Sequence, residues 1–107
     1  MSAGPGKPVV ALLTDFGTLD PYVGMMKAAI LEVCPGAAII DLTHEIEAQS
    51  IRQGAFLLKV SLAHLPEAAV IVGVVDPGVG TARRALAVQI GSRLLVGPDN
   101  GLFSRIW

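Results

Sequence analysis

The chain has one cysteine in 107 residues, Cys34, so there is no partner for an intrachain disulfide and no thiol pair at metal-ligand spacing. Standing alone, it reads as a small, buried apolar residue. Neither sign of charge dominates, since 8 Lys and Arg face 9 Asp and Glu for a formal net charge of −1. The basic residues are scattered apart from the pair Arg83 and Arg84, which argues against a nucleic-acid or anionic-membrane partner. Long hydrophobic runs are also missing. The longest, such as Ala68 to Val75, fall far short of the ~20 apolar residues that span a bilayer. Met1 to Pro8 carries Gly and Pro where a secretory signal needs an apolar stretch, so residues 1–8 are expected to form a flexible leader and the protein to be cytoplasmic. No internal repeat is present. What the chain has in abundance is apolar side chains, at 52 %, enough for the buried core of one small domain over residues 9–107.

The apolar residues are ordered in alternating strand and helix patterns. Val9 to Leu13 is a β-rich run suited to a strand buried on both faces, and it ends at Thr14-Asp15-Phe16-Gly17. Asp20-Pro21 then gives an N-cap residue followed by proline at the first helical position, where the missing N–H costs nothing. Tyr22, Met26, Ala29, Ile30 and Val33 follow at helical spacing until Pro35-Gly36 stops the run. Ala38 to Leu42 reads as a second strand. Ser50 to Ala63 reads as a second helix with Ile51, Ala55, Leu58 and Leu62 on one face, and Gly54 is its one discordant residue. Ala69 to Val75 is a third strand running into Asp76-Pro77-Gly78-Val79-Gly80. Ala85 to Ile90 and Arg93 to Val96 flank Gly91-Ser92, the signal of a two-residue antiparallel hairpin. After the loop Gly97 to Gly101, Leu102 to Trp107 resembles the first turn of a helix. This βαβαβ order followed by a hairpin predicts an α/β fold, a mostly parallel sheet with helices on its faces.

In such sheets ligands bind beyond the carboxyl ends of the strands, and three strands here run out at acids: Asp15, Asp41 and Asp76. An Asp at that place often only caps a turn or the next helix. Asp15 and Asp76 sit beside glycines that let a ligand approach the backbone, whereas Asp41, beside Leu42-Thr43-His44, is assigned a structural role. Gly78-Val79-Gly80 lacks the Gly-Lys-Ser/Thr ending of a phosphate loop and follows an acid, which would repel a phosphate. A cation or a ribose diol suits a carboxylate there better, because one carboxylate can accept hydrogen bonds from two vicinal hydroxyls.

Five collinear segments make the pattern specific. They are Thr14-Asp15-Phe16-Gly17; Asp20-Pro21-Tyr22-Val23-Gly24 with Met26-Lys27; Asp41-Leu42-Thr43-His44; Val75 to Thr81 with Arg83-Arg84; and Pro98-Asp99-Asn100-Gly101-Leu102. In order and spacing they resemble the S-adenosylmethionine (SAM) hydroxide adenosyltransferase family, relatives of the SAM-dependent fluorinases and chlorinases. The resemblance runs from about Val9 onward and marks the chain as the N-terminal part of such a protein. It implies hydrolysis of SAM to adenosine and methionine, by in-line attack of water or hydroxide on the 5′ carbon of the ribose.

The sulfonium leaves as a neutral thioether, so no general acid is required and no metal or other cofactor is expected; the difficulty is to position a good oxygen nucleophile. The resemblance places the water-holding Asp on Asp76 and the Arg on Arg83, with Arg84 facing away if the segment is extended. On the residues alone, Arg83 would read as a surface salt bridge. The same carry-over puts Asp15 on the ribose hydroxyls and Asp20 near the methionine part, where substrate binding competes with Asp20's reading as a helix N-cap. Phe16 and Tyr22 are candidates to line the pocket, against the core-facing place of most aromatics, and Gly17 admits the ligand to the backbone. His64 reads as a solvated histidine near a helix end. His44 falls in a family motif but is assigned a structural role.

Halogenases differ where this chain has Asp76 and Pro77-Gly78-Val79, so the resemblance implies water rather than halide chemistry. The family's histidine lies after the Pro-Asp-Asn-Gly loop, beyond Trp107. A smaller C-terminal β domain, which in the family binds adenine from a neighbouring subunit of a homotrimer, lies beyond it too. The 107 residues are therefore expected to be truncated and inactive by themselves. Two other readings remain open: a non-catalytic nucleoside-binding or assembly module, and a binder of another cationic nucleoside.

Overall fold

A computed structural model of the chain describes residues 7–47, 50–75 and 84–104. Among them are strands β1 (Val9–Thr14), β2 (Ala38–Thr43), β3 (Val70–Val74), β4 (Ala85–Ile90) and β5 (Arg93–Pro98), and helices α1 (Tyr22–Val33) and α2 (Ile51–Leu62). The sheet order is β2-β1-β3-β5-β4. Four strands run parallel, and β4 pairs antiparallel with β5 across the turn at Gly91, whose φ is +61°. The expected α/β architecture, mostly parallel with a hairpin, is the one observed.

The chain leaves β1 through α1 toward β2, then returns through α2 across β1 to β3. Opposite directions of travel put the two crossover helices on opposite faces of the sheet. Helix α2 covers the better-packed face, where Ala11 and Leu13 of β1, Ile71 of β3, Leu95 of β5 and Leu58 of the helix form the core. The Ser50 side chain caps α2 by accepting from the Gln53 N–H at 3.2 Å. Gly54 belongs in the helix for a packing reason. A Cβ there would lie 2.9 Å from Leu102 Cδ1 and 3.2 Å from Val75 Cγ2. Gly73 and Gly97 make room in the same way, so three glycines seat the buried side chains of Leu102 and Phe103.

Helix α1 covers its face loosely, which corrects three details expected from the sequence. It begins at Tyr22 with Pro21 at the N-cap and no side-chain cap, so Asp20 lies outside the helix. The first helical bond runs from the Met25 N–H to the Pro21 carbonyl. Val23 is its buried residue; Met26, Ala29, Ile30 and Val33 face the sheet residues Val10, Val70 and Val72 as the helical spacing implies, with Val33 largely exposed at the rim, while Tyr22 is exposed. Cys34 is half-buried, beside Met26, Ile30 and the β-strand residues Val10, Val70 and Val72, in a shallow apolar hollow between helix and sheet. Residues 102–104 form a turn closed by Ser104 N–H to Gly101 O at 3.0 Å; the rest of the expected helix lies outside the described residues.

Candidate active site

Strand order reverses between β1 and β3, because the connections from β1 and from β2 leave in opposite directions. The crevice above such a switch point is where open α/β sheets bind ligands. Asp15-Phe16-Gly17 leaves β1 at that place. The Asp15 N–H donates to the Val74 carbonyl of β3 at 3.3 Å, and the Gly17 N–H donates to the His44 carbonyl at 2.7 Å. The turn is thus tied to the strand on either side. Gly17 has φ +72°, a left-handed conformation that favours glycine, and no atom lies within 4 Å of where its Cβ would be. Asp15, Phe16 and Gly17 are each half-buried at this rim, so ligand atoms can reach them.

Phe16 meets Tyr22 edge to face, with ring centroids 6.3 Å apart and planes at 62°. Of the aromatics named from the sequence, Phe16 is half-buried and Tyr22 is exposed, so neither lies in the core. Asp20 is exposed on the segment between them, and with Pro21 at the N-cap it is relieved of the capping role that competed with substrate binding. Of the five residues named from the sequence, the structure joins Phe16 to Tyr22 and ties Asp15 and Gly17 into the turn after β1. Asp76 and Arg83, assigned to water handling, lie outside the described residues, though β3 and buried Val75 run directly up to Asp76.

Two features of the rim were not read as functional in the sequence. Asn100 donates from Nδ2 to the Val75 carbonyl at 2.8 Å and accepts the Leu102 N–H on Oδ1 at 3.1 Å, which pins the loop after β5 against the exit of β3. Beneath Asp15 runs a continuous polar chain. Thr14 Oγ1 lies 2.8 Å from His44 Nδ1, His44 Nε2 lies 2.7 Å from Asp41 Oδ1, and Lys27 Nζ donates to Asp41 Oδ2 at 2.7 Å. Thr14 and His44 are buried, while Asp41 and Lys27 are at the solvent end. The Lys27 ammonium, and after it the His44 ring, hold the Asp41 carboxyl below its usual range. Thr14 ends β1, Asp41 lies within β2 and His44 follows it, and no local feature of the sequence shows that the three meet. Among the described residues no group of His, Cys, Asp and Glu has the arrangement of a metal site.

Comparison with known proteins decides the family. Residues 10–107 match the model of the SAM hydroxide adenosyltransferase N-terminal domain. The chain belongs to the SAM hydroxide adenosyltransferase family. An (R)-S-adenosyl-L-methionine hydrolase of Thermus thermophilus is 52 % identical over 98 residues, covering 92 % of this chain and 38 % of that protein. A protein of the same name from Methanocaldococcus jannaschii is 42 % identical, over 92 % of this chain and 39 % of its own length. A fluorinase of an Actinoplanes species is more distant, at 27 % identity over 94 % of this chain and 42 % of its own. Among solved structures, a conserved hypothetical protein from Thermus thermophilus matches with TM-score 0.84 at 51 % identity, over 94 % of this chain and 42 % of that one. The chain thus spans about two-fifths of the length of these adenosyltransferase-family relatives.

Proposed function

We propose that the protein containing this chain hydrolyses SAM to adenosine and methionine. The observation that carries this reading is the Asp15-Phe16-Gly17 turn at the β1/β3 switch point, anchored from both neighbouring strands in a chain of this family. Its half-buried carboxylate suits a ribose diol, and the left-handed Gly17 leaves the backbone open to a ligand. Water attacks C5′ from the side opposite sulfur. The new C–O bond forms as the C5′–S bond breaks, the bonding pair leaves on sulfur as the neutral thioether of methionine, and a proton passes from the attacking water to solvent. Asp76 orients that water and Arg83 stabilises its developing hydroxide character, with no metal or cofactor. The complete enzyme is a cytoplasmic homotrimer in this reading, with the adenine held by a neighbouring subunit.

The test is incubation of the full-length protein with SAM, with and without chelator and halide, followed by chromatography. Adenosine and methionine released equally in chelator support the proposal. Loss of turnover with chelator, or a halogenated nucleoside formed from chloride or fluoride, overturns it. Binding of SAM without turnover favours the nucleoside-binding module.

A further inference from the structure

The chain Thr14–His44–Asp41–Lys27 has one direction of donation that satisfies every member. Asp41 is held in its ionised form by Lys27 and His44, so both its oxygens accept. His44 Nε2 must then carry the proton that reaches Asp41 Oδ1. In the neutral ring this leaves Nδ1 as an acceptor, and Thr14 Oγ1 is its donor at 2.8 Å. The Thr14 oxygen in turn accepts the Phe16 backbone N–H at 3.2 Å. The alternative, with a proton on Nδ1, gives the Thr14 oxygen two donors and leaves its own hydroxyl proton seeking another acceptor in a fully buried position. Hydrogen bonds therefore run unbroken from Lys27 in the middle of α1, through the ring of His44, to the peptide that joins Asp15 to Phe16. The His44 backbone closes the loop from the other side, with its carbonyl receiving the Gly17 N–H at 2.7 Å.

We infer that His44 is a positioning residue, which through Thr14 and its own carbonyl fixes the Asp15-Phe16-Gly17 turn against the ribose. The inference rests on the SAM-hydrolase reading for what the turn holds, but its geometry is independent of that reading. A purely apolar plug would fill the space beneath Asp15 without orienting its peptide. A buried imidazole with both nitrogens engaged fixes the Thr14 rotamer, and with it the acceptor for Phe16. Ground-state placement of the ribose is at stake, and not the water, so the effect belongs in KM.

The experiment uses the full-length protein with paired substitutions. Asn in place of His presents an acceptor oxygen near the position of Nδ1, whereas Gln presents a donor nitrogen near the position of Nε2. His44→Asn thus retains the Thr14 end, and His44→Gln retains only the Asp41 end. Thr14→Ser keeps the hydroxyl that Thr14→Val removes. We expect Thr14→Val and His44→Gln to raise KM for SAM about tenfold or more with kcat within about threefold, and Thr14→Ser and His44→Asn to recover most of that loss. Amide hydrogen exchange supplies a readout that needs no turnover: Phe16 and Gly17 should exchange faster in the first pair than in the second. Nitrogen NMR of the His44 ring should show the Nε2–H tautomer. Asp41→Asn, at the exposed end of the chain, should produce the same KM-directed change at smaller size, and it serves where a buried substitution prevents folding. Parental exchange at Phe16 and Gly17 in Thr14→Val and His44→Gln overturns the inference. So does a pair Thr14→Ser and His44→Asn as defective as its counterparts, since the site then needs bulk and not these bonds. A parental protein that releases no adenosine from SAM sinks the hydrolase reading instead, and the exchange rates still decide whether His44 holds the turn.

Discussion

The Asn100 side-chain amide reaches 2.8 Å to the Val75 carbonyl, so the loop after β5 grips the last residue before Asp76. Its oxygen is also engaged, by the Leu102 N–H, and Leu102 is fully buried among Gly54, Gly73 and Val75. One amide therefore joins the seat of the core to the exit of the strand that leads into the proposed catalytic loop.

Asn100→Ala leaves the Val75 carbonyl and the Leu102 N–H without these partners. Both Val75 and Leu102 are buried, so each group regains little of its hydrogen bonding from water. A loss of about 1–3 kcal/mol is expected in urea unfolding, with the slope unchanged. Asn100→Asp keeps the acceptor for the Leu102 N–H but sets a carboxylate oxygen against the Val75 carbonyl, so it should also be less stable than the parent. A variant as stable as the parent would show that the bond to Val75 contributes nothing.

The three glycines under Leu102 and Phe103 should differ in tolerance. At Gly54 an added methyl meets the end of the Leu102 side chain at 2.9 Å, which can shift, and alanine gains about 1 kcal/mol of helix propensity over glycine. At Gly97 it meets the backbone carbonyl of Gly73 in the neighbouring strand, which cannot move without breaking the parallel pairing. Gly54→Ala should change stability by no more than about 1 kcal/mol, while Gly97→Ala should cost at least the upper part of the usual overpacking range of about 1–3 kcal/mol. Denaturation midpoints that rank the two alike would contradict this account.

The pairing of Asp41 with Lys27 and His44 predicts a particular acid sensitivity. Its carboxyl titrates below its ordinary value of 3.8, so folding holds it ionised more tightly than the unfolded chain does. That contribution is complete above the ordinary value and disappears as pH falls through the lower folded value. Asp41→Asn should therefore be less stable than the parent near neutrality, and the gap should narrow as pH falls below 3.8 and through the lower folded value. Because Asp41 is 42 % exposed on its side chain, solvent screens the pair and the gap should be modest. A gap that stays constant across this range would assign the stability difference to something other than ionisation.

Much of the architecture was legible because apolar runs and their stops are local signals. Val9 to Leu13 and Ala69 to Val75 are bounded by polar or glycine-rich segments, and Gly91-Ser92 marks the hairpin that closes with β4 against β5. Ser50 was legible as the first residue of a helical segment, and it is the N-cap whose side chain accepts from Gln53. Helix α1 was legible except at its start: Asp20-Pro21 carries the start signal, and the helix begins one residue later than it implies, at Tyr22, which is itself exposed. The polar chain under Asp15 was hidden for a different reason. Thr14 and His44 are 30 residues apart, and only the crossover through α1 and β2 brings them together. Nothing local to His44 distinguishes a solvated imidazole from one bonded at both nitrogens. Asp76 and Arg83 lie outside the described residues, so their pairing rests on the family motif and on the place where β3 ends.

That pairing makes the sharpest kinetic prediction. If Asp15 holds the ribose while Asp76 and Arg83 handle the water, substitutions must separate along different constants in the full-length protein. Asp15→Ala removes an interaction present before and during reaction, so it should raise KM for SAM and leave kcat near the parental value. Asp76→Asn and Arg83→Ala remove groups that matter when the oxygen of water acquires hydroxide character, and should lower kcat by about a hundredfold or more with little change in KM. Arg84, exposed and contributing its carbonyl to Asp99 at 2.8 Å, supplies the control: Arg84→Ala leaves that backbone bond intact and should lie close to the parent. Steady-state rates over a range of SAM concentrations, with adenosine quantified by chromatography, give both constants for each variant. Turnover by Asp76→Asn at the parental rate would reduce Asp76 to a cap on the loop after β3. An Arg84→Ala defect as deep as that of Arg83→Ala would mean that the family's arginine has been placed on the wrong member of the pair.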